Sequence, residues 1–444
     1  MTDRINELIA NNQYMALRSE LIDLNYVDIA ELLEELPTQE QIRIFRMLPK
    51  DIAADVFSYL PVDIKQLIIT SLTDREVGHI IDNLYTDDAV DMLDEMPASV
   101  VKKILASANA ETRRDINHLL KYPEDSAGSI MTVEFVDLKQ SITVEEAIAR
   151  IRKVGVDKET INTCYVLDQQ RKLLGTVSLR RLLLSEPDTT ISEIMHENAI
   201  TVNTLMDQEK VAHTFQKYDL TIMPVVDSED RLVGIITVDD IVDIMQQEAT
   251  EDIEKMAAIT PTDKPYMKTG VFETWKKRIP WLLLLMISAT FTGFIISSYE
   301  EALAAQVVLT AFIPMLMDTG GNAGGQASVT IIRGLSLNEI FYKDIFKIVW
   351  KESKVALCCG ATLAVANFAK IMIFDRLDVN IALVICVTLL ITVFIAKIVG
   401  CILPILAKKI GFDPAVMASP FITTIVDAIS LIVYFQIAKM VLGI

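Results

Sequence analysis

Residues 421–435 read FITTIVDAISLIVYF, and Asp427 is the single charged residue among these fifteen. The stretch sits in a low-charge run from Pro414 to Ala438. A run of that length can cross a bilayer. A carboxylate at the centre of such a helix costs roughly 2.5–3.5 kcal/mol on insertion scales, so acids there usually mark an ion path. On a helix turning about 100° per residue, Ser419, Thr423, Asp427, Ser430 and Tyr434 fall within about 80° of arc. The run is thus expected to be a membrane helix with one polar stripe and the acid near its middle. Lys397, in a neighbouring apolar run, is the alternative partner that would make Asp427 a structural ion pair.

Outward from this stretch the chain divides by charge. Residues 261–444 hold 16 Lys and Arg against 12 Asp and Glu, a net +4; residues 1–260 hold 25 against 48, a net −23. So acidic a surface disfavours nucleic acid and favours cations. The five cysteines (Cys164, Cys358, Cys359, Cys386, Cys401) form no C-x-x-C, and they read as small apolar residues. The first thirty residues lack a basic start followed by an apolar core, so no cleaved signal is expected.

Apolar runs at about Trp281–Tyr299, Leu303–Met317, Val355–Phe374, Ile381–Ala407 and Pro414–Leu442 predict five crossings. Basic residues cluster before the first run, between the second and third, and between the fourth and fifth. Five crossings put all three clusters on one side, with the acidic half cytoplasmic and the C-terminus outside. The second run ends in PMLMDTGGNAGGQAS (314–328). Its glycines and Pro314 predict irregular backbone, tolerated at membrane depth where it lines a wet cavity. The competing reading is close helix packing through small residues. Asp318 and Asn322 favour a pore lining.

In the acidic half, Leu36, Leu48, Leu60, Leu72, Leu84 and Met96 recur every twelve residues, and proline follows at 37, 49, 61 and 97. Short helices ending before each proline predict an all-α superhelical domain over 1–128. Its stretch TDDAVDMLDEMP puts Asp87 and Asp91 on one helical face. They form either a solvated face or a divalent-ion surface. Next, NTCYVLDQQRKLLGTVSLRRL (162–182) aligns with TIMPVVDSEDRLVGIITVDDI (221–241). Asp168 and Gly175 match Asp227 and Gly234, and Met131–Thr132 match Met195–His196. This internal duplication resembles a tandem pair of CBS domains, α+β modules placed at 129–190 and 191–246. By that resemblance Gly234, Thr237 and Asp240 fit the pattern in which the acid holds a ribose hydroxyl. The first copy has Arg181 in that place, so adenine nucleotide (ATP) is expected at the second copy. Asp240 as a plain helix-starting acid remains open. An acidic connecting helix, 247–274, leads to the membrane domain, 275–444.

The order of parts resembles the MgtE family of magnesium channels and transporters over essentially the whole chain. The residues that carry it are DTGGNAGGQ (318–326) and DPAVMASPFITTIVDAIS (413–430). The resemblance implies a homodimer in membrane lipid with the pore on its two-fold axis. Each subunit contributes Asp427, flanked by Asn322 and by Ser419, where relatives often carry Asn. It also implies metal-bridging acids at Asp87, Asp91, Asp207, Glu209, Asp219, Asp240, Asp243, Glu251 and Asp252, with Asp413 at the membrane face. The chemistry fits independently. Mg²⁺ takes oxygen ligands and gives up water reluctantly, so two Asp427 carboxylates with Thr, Ser and backbone oxygens suit it. Two carboxylates about 4 Å apart repel by roughly 4 kcal/mol at an effective dielectric of 20. Cytosolic Mg²⁺ would relieve that repulsion and close the pore. An ion-coupled transporter is the alternative reading. A membrane metalloprotease is not supported: the chain has no H-E-x-x-H, and no histidine lies in the crossings.

Overall fold

Proline sets the helix starts of the N-terminal region. Pro37, Pro49, Pro61 and Pro97 each occupy the cap position, with extended backbone, just before the helices Thr38–Phe45, Lys50–Ser58, Val62–Ser71 and Ala98–Ser107. A proline there loses nothing, because its missing N–H would have no partner in the first turn. Leu48, Leu60, Leu72 and Met96 are buried in the shared core. The computed structural model describes residues 5, 7–9, 11, 13–262, 264, 266–417 and 419–443, leaving out the side chains of Asp51 and Ser419. Within it the chain forms two compact units, Met1–Met245 and Gln246–Ile444.

The first unit holds the short helices, among them α1 (Thr86–Asp94), and two three-stranded sheets. In the first sheet β1 (Asp137–Lys139) runs parallel to β2 (Thr163–Leu167), and β3 (Leu173–Ser178) pairs antiparallel to β2. β4 (Val202–Asn203), β5 (Ile222–Val226) and β6 (Leu232–Thr237) repeat that order. The two copies are tied reciprocally. Thr132 bridges to Ile235 of the second sheet, and His196 bridges to Thr176 of the first. This explains the paired glycines. A Cβ on Gly175 would stand 2.6 Å from the His196 carbonyl oxygen, and one on Gly234 would stand 2.8 Å from that of Thr132. Helix α2 (Val238–Met256) follows β6. The expected connector therefore ends as a helix at Met256, before Ala258, which has φ +55°.

The second unit is helical. Among its described residues, four segments are long and apolar enough to cross a membrane: Val271–Ser298, Tyr342–Asp375, Val379–Lys409 and Pro414–Leu442. They contain helices α3 (Val271–Ser298), α5 (Ile345–Lys370), α6 (Val379–Lys409) and α7 (Ser419–Leu442). Between α3 and α5 lies α4 (Ile313–Ser336), which corrects two expectations. The run expected at Leu303–Met317 becomes a crossing-length helix only from Ile313. The glycine stretch is also not irregular backbone: it is continuous α-helix, with Pro314 in the first turn where it is tolerated.

Close packing explains the glycines. A Cβ at Gly320 would meet Thr392 and Val426 at 2.8 Å, and one at Gly324 would meet Ile422 at 2.6 Å. A Cβ at Gly400 of α6 would run into the Gly324 carbonyl oxygen. Helix α4 is thus seated against α6 and α7, as small residues allow in membranes. Gly400→Ala cannot be absorbed by a side-chain rotation, since the clash is with backbone. It should cost about 1–3 kcal/mol, read as a lower melting temperature in detergent. An unchanged melting temperature would contradict this helix crossing.

Candidate functional site

The buried glycine face of α4 leaves its other face polar. Asp318, Asn322 and Gln326 are exposed one turn apart, while Gly320, Gly321, Gly324 and Gly325 are buried. The Asn322 amide donates to Asp318 Oδ2 at 3.2 Å. Asp427 stands half-buried on α7, and Asp318 is the charged neighbour that bears on it. Its Oδ1 is buried and has no hydrogen-bond partner among the described residues. A Cβ on Gly321 would touch Thr423 at 3.0 Å, so glycine lets the helix carrying Asn322 approach the helix carrying Asp427. Asp427, Asp318, Asn322 and Thr423 are brought into one neighbourhood. Ser419, at the start of α7, has its side chain outside the described ones.

Two expectations change here. The polar stripe does not extend to Ser430 and Tyr434, which are 2 % and 0 % exposed. The Tyr434 hydroxyl donates to the Leu309 carbonyl at 3.0 Å. An ideal helical wheel cannot know which side of a helix its neighbours cover. Lys397 does not pair with Asp427 either, because its Nζ lies 4.0 Å from Glu352 Oε2.

The second candidate region lies in the first unit. Asp87 of α1 is buried at 8 % exposure. Loss of hydration and the charges of Asp240, Asp88 and Glu159 push its carboxyl well above the usual range. Asp91 keeps an exposed edge, yet lost hydration and the charges of Asp240 and Asp88 raise it to about 7. Asp240 is raised to about 6 by lost hydration, against the lowering effect of the Thr237 hydroxyl, which donates to its Oδ2 at 2.7 Å. Glu159 is raised to about 8 by lost hydration and by Asp239 and Asp240. These carboxyls gather because Thr86, at the start of α1, donates to Glu134 at 2.5 Å, which docks the helix on the first copy. Asp88, Glu159 and Asp239 were missed by sequence reasoning. Asp88 adjoins Asp87, but Glu159 lies far off in sequence and only the fold brings it in.

The remaining acids expected to bridge metal do not join this group. Asp207 caps the helix Gln208–Tyr218, accepting from the Lys210 N–H at 3.4 Å, and Asp219 ends that helix in the left-handed conformation. Glu209 lies 3.7 Å from His213, and Asp243 is exposed. Near the membrane domain, the Lys255 ammonium lies 2.6 Å from Glu251 and 2.7 Å from Asp413. Asp252 accepts from the Ser336 hydroxyl at 3.5 Å. An ammonium thus sits where a metal joining Glu251 to Asp413 is expected. Among the described residues no three His, Cys, Asp or Glu side chains are arranged to hold a metal ion. Gly234, Thr237 and Asp240 lie together at the end of β6 and the start of α2, so Asp240 belongs both to the nucleotide pattern and to the acidic group.

An acid with an unpartnered oxygen on one of several long apolar helices, in a chain whose other unit is dense in carboxylates, defines a multi-pass membrane protein that handles cations rather than an enzyme. Family models match along the chain: an MgtE intracellular N domain at 24–125, CBS domains at 127–187 and 191–247, and the MgtE divalent cation transporter domain at 313–437. The chain belongs to the MgtE family. It is 35% identical to the magnesium transporter MgtE of Thermus thermophilus, over 99% of this chain and 98% of that one. The Bacillus subtilis magnesium transporter MgtE is 33% identical, over 98% and 96%. The crystal structure of the cytosolic domain of the Mg²⁺ channel MgtE in complex with ATP matches 55% of this chain and 100% of that one, at 35% identity and TM-score 0.53.

Proposed function

We propose that the chain is a Mg²⁺ channel of the plasma (inner) membrane that admits Mg²⁺ past Asp427 and is closed by cytosolic Mg²⁺. The observation that carries this reading is the Asp427 Oδ1, buried and unpartnered beside Asp318 and Asn322. A carboxylate kept there without a counter-ion is poised for a cation, and few carboxylates with many neutral oxygens suit a hydrated Mg²⁺. Thr423 and Ser419 belong to the same path. The exposed stripe of Asp318, Asn322 and Gln326 is too polar for lipid, which supports a homodimer with a pore between copies. Helix α4 is the fifth crossing in this reading. It leaves the N-terminal parts cytoplasmic and the C-terminus outside.

The five-part division at 1–128, 129–190, 191–246, 247–274 and 275–444 assigns sensing to the soluble parts and conduction to the last. The sensor is the group Asp87, Asp91 and Asp240, extended by Asp88, Glu159 and Asp239. Asp207, Glu209, Asp219, Asp243, Glu251, Asp252 and Asp413 are its outlying acids. Adenine nucleotide binds the second CBS copy at Gly234, Thr237 and Asp240. The relative solved in complex with ATP supports nucleotide binding, and the residue pattern of the second copy supports the placement. Purified chain in liposomes loaded with a Mg²⁺-sensitive dye tests the activity. Mg²⁺ entry should follow an imposed gradient, and entry no faster than in protein-free liposomes would overturn the reading.

A further inference from the structure

A second charged pair lies inside the membrane domain, away from Asp427. Lys397 of α6 is 6 % exposed, and its Nζ is 4.0 Å from Glu352 Oε2 of α5. Lys397 stands about 18 Å of helix from the end of α6 at Lys409, at about 1.5 Å per residue, too deep to be a helix-end anchor. Taking two charges out of water costs about as much as their attraction returns, and apolar residues of similar volume would pack there more cheaply. Stability alone does not account for the pair.

Its surroundings do. Of the pair, Lys397 lines a cavity of about 490 Å³ between α4, α5 and α6 and Glu352 does not; the other polar walls are Thr319, Asn322, Gln326 and Thr362, and the rest are apolar or cysteine. Asn322 is also the residue bonded to Asp318 beside Asp427. The cavity therefore adjoins the ion site and shares a wall with it.

We infer that the Glu352–Lys397 pair sets the charge of a wet side chamber of the ion path, so that a hydrated divalent cation neither shuns nor lodges in it. The inference rests on the Asp427–Asn322 reading of that path. An unpaired ammonium beside Asn322 would repel the ion. An unpaired carboxylate would hold it too long, whereas conduction needs binding that also releases. Together the two nearly cancel.

The test is Mg²⁺ uptake by full-length protein in liposomes, measured against Mg²⁺ concentration. Glu352→Gln should raise the half-saturating concentration about tenfold and Lys397→Met should lower it about tenfold, as expected for one unit charge acting on a divalent ion across a wet cavity. The double variant should return to within about threefold of the parent. A pair that only clamps α5 to α6 gives no such signs: both single variants melt earlier and half-saturation stays put or moves one way, which would overturn the inference. If Glu352→Gln fails to fold, Lys397→Met against the charge-keeping Lys397→Arg decides. Only Lys397→Met should shift, and equal half-saturation in the two would overturn the inference. Asp427→Ala separates the two readings. A dead Asp427→Ala with same-sign shifts at the pair removes only the role of the pair, whereas a fully active Asp427→Ala removes the path itself.

Discussion

Asp427→Ala is expected to lower Mg²⁺ uptake at least about a hundredfold while the protein still inserts and elutes as the parent does. The attraction between a carboxylate and a hydrated divalent ion about 5 Å away is about 2 kcal/mol in bulk water and about 7 at an effective dielectric of 20. A hundredfold loss corresponds to about 2.7 kcal/mol, near the low end of that range. Asp427→Asn is the sharper variant. It keeps the volume and the polar atoms beside Asp318 and Asn322 and removes only the charge, so it should be nearly as inactive. Undiminished uptake by Asp427→Asn would mean that the acid is structural, despite its unpartnered oxygen.

The next largest effect is expected from the acids of the first unit. Asp87, Asp91, Asp240 and Glu159 all have carboxyls raised above their ordinary values. Such groups bind protons more readily folded than unfolded. The stability they confer is full below about pH 4 and is lost as pH rises through about 6, 7 and 8, the values of Asp240, Asp91 and Glu159. Metal-free residues 1–260 should therefore melt at a lower temperature at pH 8 than at pH 5.5. Mg²⁺ at millimolar levels should restore more at pH 8, where it replaces the missing protons as the screen between carboxylates. Neutralising Asp87, Asp91 and Asp240 to their amides removes repulsion and ligands together. The metal-free melting temperature at pH 8 should rise, and its dependence on Mg²⁺ should flatten. In the full chain the same variant, or removal of residues 1–128, should still conduct but need about tenfold more Mg²⁺ for inhibition, a change of about 1.4 kcal/mol. Identical Mg²⁺ effects in parent and variant would reduce these acids to a solvated face.

Much of this was legible in the sequence, for local reasons. Proline fixes a helix start wherever it falls, so the twelve-residue Leu-Pro period gave the N-terminal helices their positions. A duplicated sequence repeats its sheet, and the matched pairs Gly175/Gly234 and Thr132/His196 sit at the reciprocal bridges. Asp427 stood out because a charge in an apolar run has few explanations. What was not legible depends on neighbours. Glycine favours loops by its own propensity, and only the packing of Thr392, Ile422 and Val426 against α4 shows why a helix carries so many. Ser430 and Tyr434 share a helical wheel with Asp427 but are covered by other helices. Glu159 joins Asp240, Lys255 joins Glu251 to Asp413, and Lys397 turns to Glu352, each across sequence distances that periodicity does not span.

Whether ions pass Asp427 by passive conduction is tested most directly by the reversal potential of the current through the purified chain in a planar bilayer. With a tenfold Mg²⁺ gradient and symmetric pH and monovalent salt, a Mg²⁺-selective pore should reverse at about 30 mV, the equilibrium value for a doubly charged ion. That potential should stay fixed when a pH or sodium gradient is added. A reversal potential that moves with either gradient would contradict the channel and leave ion-coupled transport in its place.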